Sequence, residues 1–295
     1  MQLTNKLRLP DPIVRAISND NYTKGDADFS VTELLNPPQV RRLFKEFGDQ
    51  VEEDASDRIW SLLGQAVHSI IERASEGDAN TLSETTLYTT LNGHKIKGTF
   101  DNLTISNAEL GDFKVTTVWK VRDGVAPDDW VAQTNIYRWM LAREKGITIN
   151  SMAVFAIFRD WSKREAAKRL EYPQAQAARI DIPLWDLATT EAFVLARLAL
   201  HTQPEVQPCS DEDIWAKPTK WAAMKKGRAS AVKLFDNQAE AADFAKTLPS
   251  GYVEYRPGSA TRCESYCAVA PFCKQWANDS RNQGDKPLSE SLFNV

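Results

Sequence analysis

At 295 residues the chain has material for one large domain or two small ones, with a sizeable core. Hydrophobic residues make up 42% and charged residues 26%, the balance of an ordinary soluble globular protein. No run of eighteen apolar residues occurs, which excludes a membrane-spanning helix, and a net charge of −4 excludes DNA binding by bulk charge, so any such binding needs a local basic groove.

The N-terminus lacks the basic-then-apolar layout of a signal peptide. Four cysteines without such a signal point to the cytoplasm, and to thiols or a metal site rather than disulfides.

Residues 1–29 read as an irregular polar segment. Residues 30–38 predict a short helical turn ended by Pro37 and Pro38. Residues 39–54 are highly charged and predict another helix. The spacing of Trp60, Leu63, Val67, Ile70, Ile71 and Ala74 predicts an amphipathic helix over 57–74, with Ser56 as its cap. On that helix His68 and Glu72 share a face. Residues 76–80 break it.

Three strands follow, over 85–91, 95–105 and 109–116. Asn92-Gly93 is a hairpin turn, and Ser106-Asn107 makes the second. Residues 128–145 predict a helix, with Asp128 and Asp129 at its start and Gly146 as its stop. Gln133 and Tyr137 lie one turn apart on it. Residues 152–158 form a continuous apolar run, as in a strand buried on both faces.

Chemistry concentrates on the second and third strands. Side chains alternate along a strand, so Asp112 and Lys114 point the same way, and a hairpin returns Asp101 beside them. Two carboxylates and an ammonium suit a hard cation and phosphodiester hydrolysis. An isolated Asp-x-Lys is a common pair on a solvated strand face, so the surrounding order of elements carries the weight.

That order resembles the core of the PD-(D/E)XK nuclease superfamily over roughly residues 30–160. The closer likeness is to its RecB/Cas4-like branch, which includes phage-type exonucleases. Gly64-Gln-Ala-Val-His68 resembles the branch's Gly-x-x-x-His motif. Gly98-Thr-Phe-Asp101 and Asp112-Phe-Lys114 resemble its two metal-binding blocks, and Gln133-x-x-x-Tyr137 its following-helix signature. The resemblance implies an α/β, restriction-endonuclease-like core: helix, three-stranded antiparallel meander, helix, strand. It implies Mg²⁺ or Mn²⁺ held by His68, Asp101, Asp112 and the Phe113 carbonyl. Lys114 then orients the attacking water or stabilises the transition state, while Gln133 and Tyr137 position the strand or the lysine. Asp112 stands where Glu is commoner.

The C-terminal third differs in texture. A leucine- and alanine-rich helix spans 183–202, and Pro204 and Pro208 mark a boundary. Residues 230–255 predict strand, helix and strand. Cys263, Cys267 and Cys273 follow within eleven residues, a spacing that suits a tetrahedral sulfur site. The branch resemblance implies a 4Fe–4S cluster on these three with Cys209 as the fourth ligand; zinc at the same residues is the alternative. The first gap is three residues rather than two, and Asn36-Pro-Pro38 occupies the region where the branch places its distant cysteine.

Two clusters mix cations with aromatics, as single-strand platforms do. One is Arg159, Trp161, Lys163 and Arg164. The other is Lys225, Lys226 and Arg228, near Trp215 and Trp221.

The expected organisation is an irregular segment (1–29), a nuclease core (30–203), an α+β cysteine-bearing module (204–277) and a flexible tail (278–295). The expected function is a metal-dependent DNA exonuclease of phage or mobile-element recombination, replication or degradation, acting on single strands or free ends. A helicase or annealing protein is a candidate partner. An endonuclease of the same fold, or a non-catalytic nucleic-acid-binding module, are the alternatives.

Overall fold

The computed structural model describes residues 2–19, 25–121 and 124–283. The chain divides into two compact units, one of residues 2–36 with 52–205 and one of residues 37–51 with 206–295.

The chain opens with β1 (Gln2–Thr4), α1 (Asp11–Ser18), β2 (Phe29–Ser30), α2 (Val31–Leu35), α3 (Pro38–Phe47), β3 (Glu52–Asp54) and α4 (Ile59–Ser75). Residues 1–29 are therefore not irregular throughout. β1 pairs in parallel with β3, and α1 starts after Pro10, with Pro12 in its first turn, where a missing N–H costs nothing.

The turn expected at 30–38 is α2, closed by a capping box. Ser30 Oγ accepts from Glu33 N, and Glu33 Oε2 accepts from Ser30 N. Ser56 does not cap α4. A 3-10 turn over Ala55–Arg58 precedes that helix, and Asp54 caps the turn by accepting from the Ser56 amide and hydroxyl. α4 keeps its three–four apolar spacing, yet Trp60, Leu63 and Ile70 stay exposed.

Next come β4 (Thr81–Leu91), β5 (His94–Thr104), β6 (Glu109–Thr116), α5 (Asp128–Lys145), β7 (Ser151–Phe158), α6 (Lys163–Ala166), β8 (Ala177–Asp181) and α7 (Leu187–Thr202). Helix, three-stranded meander, helix and strand thus appear in the expected order, in an α/β unit with a mixed central sheet. Strand order is β2-β5-β6-β7-β8, with β4 on the other edge of β5.

β4 and β5 join at Asn92-Gly93, both at positive φ (49° and 78°), the backbone that a two-residue hairpin turn demands. β6 and β7 pair in parallel through eight residue pairs, and α5 is their crossover. That burial explains the apolar run: Met152, Ala153, Val154 and Ala156 lie in the core. α5 begins after Pro127, with Asp128 and Asp129 in its first turn rather than at its cap, and ends at Gly146 with φ 65°. Its middle is buried from Trp130 to Leu141. The buried Asn135 is satisfied there, donating to the Val131 and Pro183 carbonyls and accepting from Trp185 N.

The second unit holds α3 with β9 (Ala216–Lys217), β10 (Lys220–Lys225), β11 (Lys233–Phe235), α8 (Gln238–Lys246), β12 (Gly251–Arg256), β13 (Ser259–Ala260), α9 (Thr261–Ser265), α10 (Lys274–Ala277) and α11 (Ser280–Gln283). β11-β10-β12 form an antiparallel sheet, with α8 packed on it. Residues 37–51 belong to this unit and not, as the expected bounds of 30–203 had them, to the unit that holds the six-stranded sheet. Phe47 stacks on Phe272 at 4.9 Å, and Gln39 Nε2 donates to Cys273 Sγ at 3.4 Å. Of the expected tail, 280–283 is a helical turn, and 284–295 lies outside the described residues.

Candidate metal centre

The site forms where the sheet's pairing fails. β5 and β6 pair for only three residues, Asn102–Thr104 against Glu109–Gly111. The next residues outward are Asp101 and Asp112, at the mouth of the fork. The Phe113 amide has no ladder partner there, and the Asp101 carboxylate accepts from it at 2.7 Å. On the other edge of β5 the β4 ladder is also interrupted at this level. Glu84, with φ 44°, lies opposite Asp101 between the pairs Ser83↔Asn102 and Thr85↔Phe100. Inward alternation along β5 slips here as well: Ile96, Gly98 and Phe100 are buried, then Leu103. One local break therefore turns three acidic and amide groups toward a single point.

His68, on α4, closes the set. Its Nε2 donates to the Phe113 carbonyl at 2.9 Å. Its Nδ1 stands 3.3 Å from Glu84 Oε1 and 3.7 Å from Asp101 Oδ2. His68, Glu84 and Asp101 each bring a ligand atom within 4.8 Å of the others. Asp112 is only 2% exposed, and the Lys114 ammonium is the one donor that reaches its carboxylate among the described residues. Lys114 Nζ lies 2.7 Å from Asp112 Oδ2 as its ionic partner.

Electrostatics follow from this crowding. Burial, then the negative charge of Asp112, pushes the Asp101 carboxyl up to about 7, against the pull of His68 and Lys114. The hydrogen bond to Glu84 raises His68 above its usual range. Burial works against the Lys114 charge, but Asp112 and Asp101 outweigh it and hold the ammonium protonated.

These residues fit a hard divalent cation. The Lys114 ammonium meets one oxygen of the buried Asp112, while the other oxygen and the neighbouring Asp101 and Glu84 carboxylates gather more negative charge than one lysine offsets, and the available ligand atoms are oxygens and one imidazole nitrogen. The Phe113 carbonyl, expected as a ligand, is taken by His68.

One consequence is measurable without any ion. The folded pKa of Asp101, about 7, exceeds its ordinary 3.8. Between those values the folded chain holds a proton that the unfolded chain has released, so stability falls as pH rises through that window. Asp101→Asn is expected to melt several degrees above wild type at pH 8 in EDTA, at roughly 2–4 °C per kcal/mol. Near pH 4 the two should coincide. Scanning fluorimetry checks this, and an unchanged midpoint at pH 8 contradicts it.

Gln133 and Tyr137 lie on α5 in one stripe with Asp129, and Asp129 adds to the field that holds Lys114 charged. Gln133 Nε2 donates to the Tyr137 hydroxyl at 2.9 Å. The Tyr137 ring packs against β5 at Gly98, where a Cβ would meet Met140 Sδ at 2.9 Å and the tyrosine ring at 3.0 Å. Glycine thus lets α5 approach the strand that carries Asp101. Gly98→Ala is expected to destabilise the fold by about 1–3 kcal/mol through overpacking, read as a lower urea midpoint at unchanged slope. No loss would mean that the helix yields freely.

Glu84 is the residue that sequence reasoning missed. The hairpin held a usable signal: counting equally from the Asn92-Gly93 turn sets Glu84 opposite Asp101. Glu72, which shares a helical face with His68, is exposed. His94 packs edge-on to Phe29, and His201 is buried with Nε2 3.1 Å from the Leu34 carbonyl, so both are accounted for by structure.

Cys209, Cys263, Cys267 and Cys273 all line one cavity of the second unit. Burial, with Asp213 and the other thiols adding, pushes Cys209 up to about 12, and burial with its neighbours pushes Cys263 up to about 11. No three of the sulfurs come within 4.8 Å of one another. Of the two basic clusters, Arg159, Lys163 and Arg164 are exposed, whereas Trp161 is tethered by its Nε1 to the Pro173 carbonyl and packs on the core. Lys225, Lys226 and Arg228 are exposed around the β10–β11 turn. Among the described residues no helix is long and apolar enough to cross a membrane.

No protein-family model and no curated protein matches the chain. Among solved structures it is similar to SSO0001, at 19% identity and TM-score 0.44, over 65% of this chain and 86% of that one. It is also similar to an alkaline exonuclease from Laribacter hongkongensis, at 15% identity and TM-score 0.31, over 48% of this chain and 68% of that one.

Proposed function

We propose that the protein is a metal-dependent deoxyribonuclease acting as an exonuclease on DNA ends. The observation that carries this reading is the sheet fork, where Asp101 and the buried Asp112 flank the mouth and the charged Lys114 pairs with Asp112. His68, Glu84, Asp101, Asp112 and the Phe113 carbonyl would hold Mg²⁺ or Mn²⁺. Bound there, the ion supplies a positive centre that neutralises the scissile phosphate and lowers the pKa of water.

The chain's own residues do the rest. Lys114 is placed to hold the attacking water and to stabilise negative charge as it builds on the phosphoryl oxygens. The bond from His68 Nε2 to the Phe113 carbonyl fixes the ring and aims Nδ1 at the acids. Gln133 and Tyr137 support the β5 arm from the other helix. Arg159, Lys163 and Arg164 on one unit, and Lys225, Lys226 and Arg228 on the other, each supply a local positive patch of the kind that a net-acidic protein needs for DNA.

The second unit holds, in this reading, a 4Fe–4S cluster on Cys209, Cys263, Cys267 and Cys273. A single zinc with bonds of about 2.3 Å draws its sulfurs to roughly 3.8 Å from one another. What supports a sulfur-ligated group is that all four cysteines line one cavity, and zinc at the same residues is the alternative. The biological setting is phage or mobile-element DNA processing, alongside a helicase or annealing protein.

The test is incubation of linear and covalently closed DNA, single- and double-stranded, with Mg²⁺ or Mn²⁺. Degradation confined to linear molecules is expected. Cleavage of closed circles would make the protein an endonuclease, and metal-independent binding without any cleavage would make it an assembly module.

A further inference from the structure

Trp60 opens α4, the helix that carries His68, and belongs to an apolar stripe whose other members pack inward only in part. It is 53% exposed. The Arg159 guanidinium lies 4.3 Å from its ring centroid. An exposed indole with a cation stacked on it has the chemistry to take a nucleobase on the ring system and a phosphate on the guanidinium.

Its place is defined from both partners. Trp60 precedes His68 by eight residues, about 12 Å along a helix. Arg159 follows β7 directly, and its amide donates to the Thr116 carbonyl at 2.9 Å, two residues past Lys114 on β6. The connecting turn is fixed, because Asp160 Oδ1 accepts from Val118 N at 2.8 Å. Lys163 and Arg164 lie exposed just beyond. The pair thus stands on the same unit as the acids, beyond the Lys114 end of the sheet.

We propose that Trp60 and Arg159 form a stacking platform for one unpaired base of a single-stranded DNA end, within a few nucleotides of the scissile bond. The inference rests on the nuclease reading for the location of that bond. The stacked face holds the strand in register while its phosphate lies in the fork. A duplex offers no free base face there, so the platform favours single strands or frayed ends.

The experiment measures fluorescence anisotropy of labelled single-stranded oligonucleotides in an Asp112→Asn background, which holds DNA without cutting it. A series of oligonucleotides carries one abasic residue at successive positions. Trp60→Ala is expected to weaken binding by about tenfold or more, and Trp60→Phe to restore most of it. One abasic position should cost a similar factor, and that cost should vanish in Trp60→Ala. This pattern supports the platform even if wild type proves unable to cleave, in which case only the nuclease reading falls. Equal binding by Trp60→Ala and its parent, additive losses, or a parent that does not bind single strands would overturn it, even if wild type cleaves DNA.

Discussion

Asp112→Ala is expected to lower metal-dependent DNA cleavage by about 10³-fold or more, the scale on which transition-state charge stabilisation is lost. The residue is buried, is met by the Lys114 ammonium alone, and stands with Asp101 at the mouth of the fork. Its removal deletes one of the proposed anionic ligands and the carboxylate paired with Lys114. It also relieves Asp101 of a like charge, so Asp101 should titrate lower than about 7 in the variant. Initial rates on end-labelled linear DNA, with a melting curve as the folding control, measure the effect. A folded variant that keeps a tenth of wild-type activity would remove Asp112 from the site.

On the proposed cysteine-held cluster, Cys273→Ala is expected to leave the second unit without its metal and to unfold it locally. Cys273 is the most buried of the four cysteines, next to the Phe47–Phe272 stack and bonded by Gln39. Were it only packing, the change would cost about 1 kcal/mol. A ligand that holds a cofactor costs far more, because cofactor binding is folding energy, on the order of 10 kcal/mol for a structural ion. Iron analysis and visible absorbance of anaerobically purified protein, with limited proteolysis, distinguish the two. A colourless wild type with stoichiometric zinc would replace the cluster by zinc. A wild type free of both metals would make the thiols ordinary core residues.

Both variants probe features that differ in how far local sequence revealed them. The fork could be anticipated because its parts are local: strand alternation places Asp112 and Lys114 on one face, and the Asn92-Gly93 turn folds β5 back on β4. Glu84 escaped because its role comes from a left-handed backbone at an interrupted ladder, and a glutamate in a threonine-rich strand reads as a solvated side chain. α1 escaped because it has only eight residues between prolines and polar chain. Residues 37–51 were assigned to the core by proximity in the chain, whereas their partners lie more than two hundred residues away. Trp60 followed the helical period faithfully, yet a period reports which residues share a face and not whether anything covers it.

The fork also has a mechanical consequence. β6 is zipped to β7 through eight pairs and to β5 through three. Asp112, Phe113 and Lys114 therefore ride on one stiff arm, while Asp101 and Glu84 ride on the other, and the arms are hinged at 102–104. Beyond those pairs the arms are joined directly by the bond from the Phe113 amide to the Asp101 carboxylate, and through His68, which reaches the Phe113 carbonyl on one arm and Glu84 on the other. The spacing of the acids therefore rests on a few side-chain bonds rather than on a continuous backbone ladder, much as a clasp is held by its catch and not by its hinge.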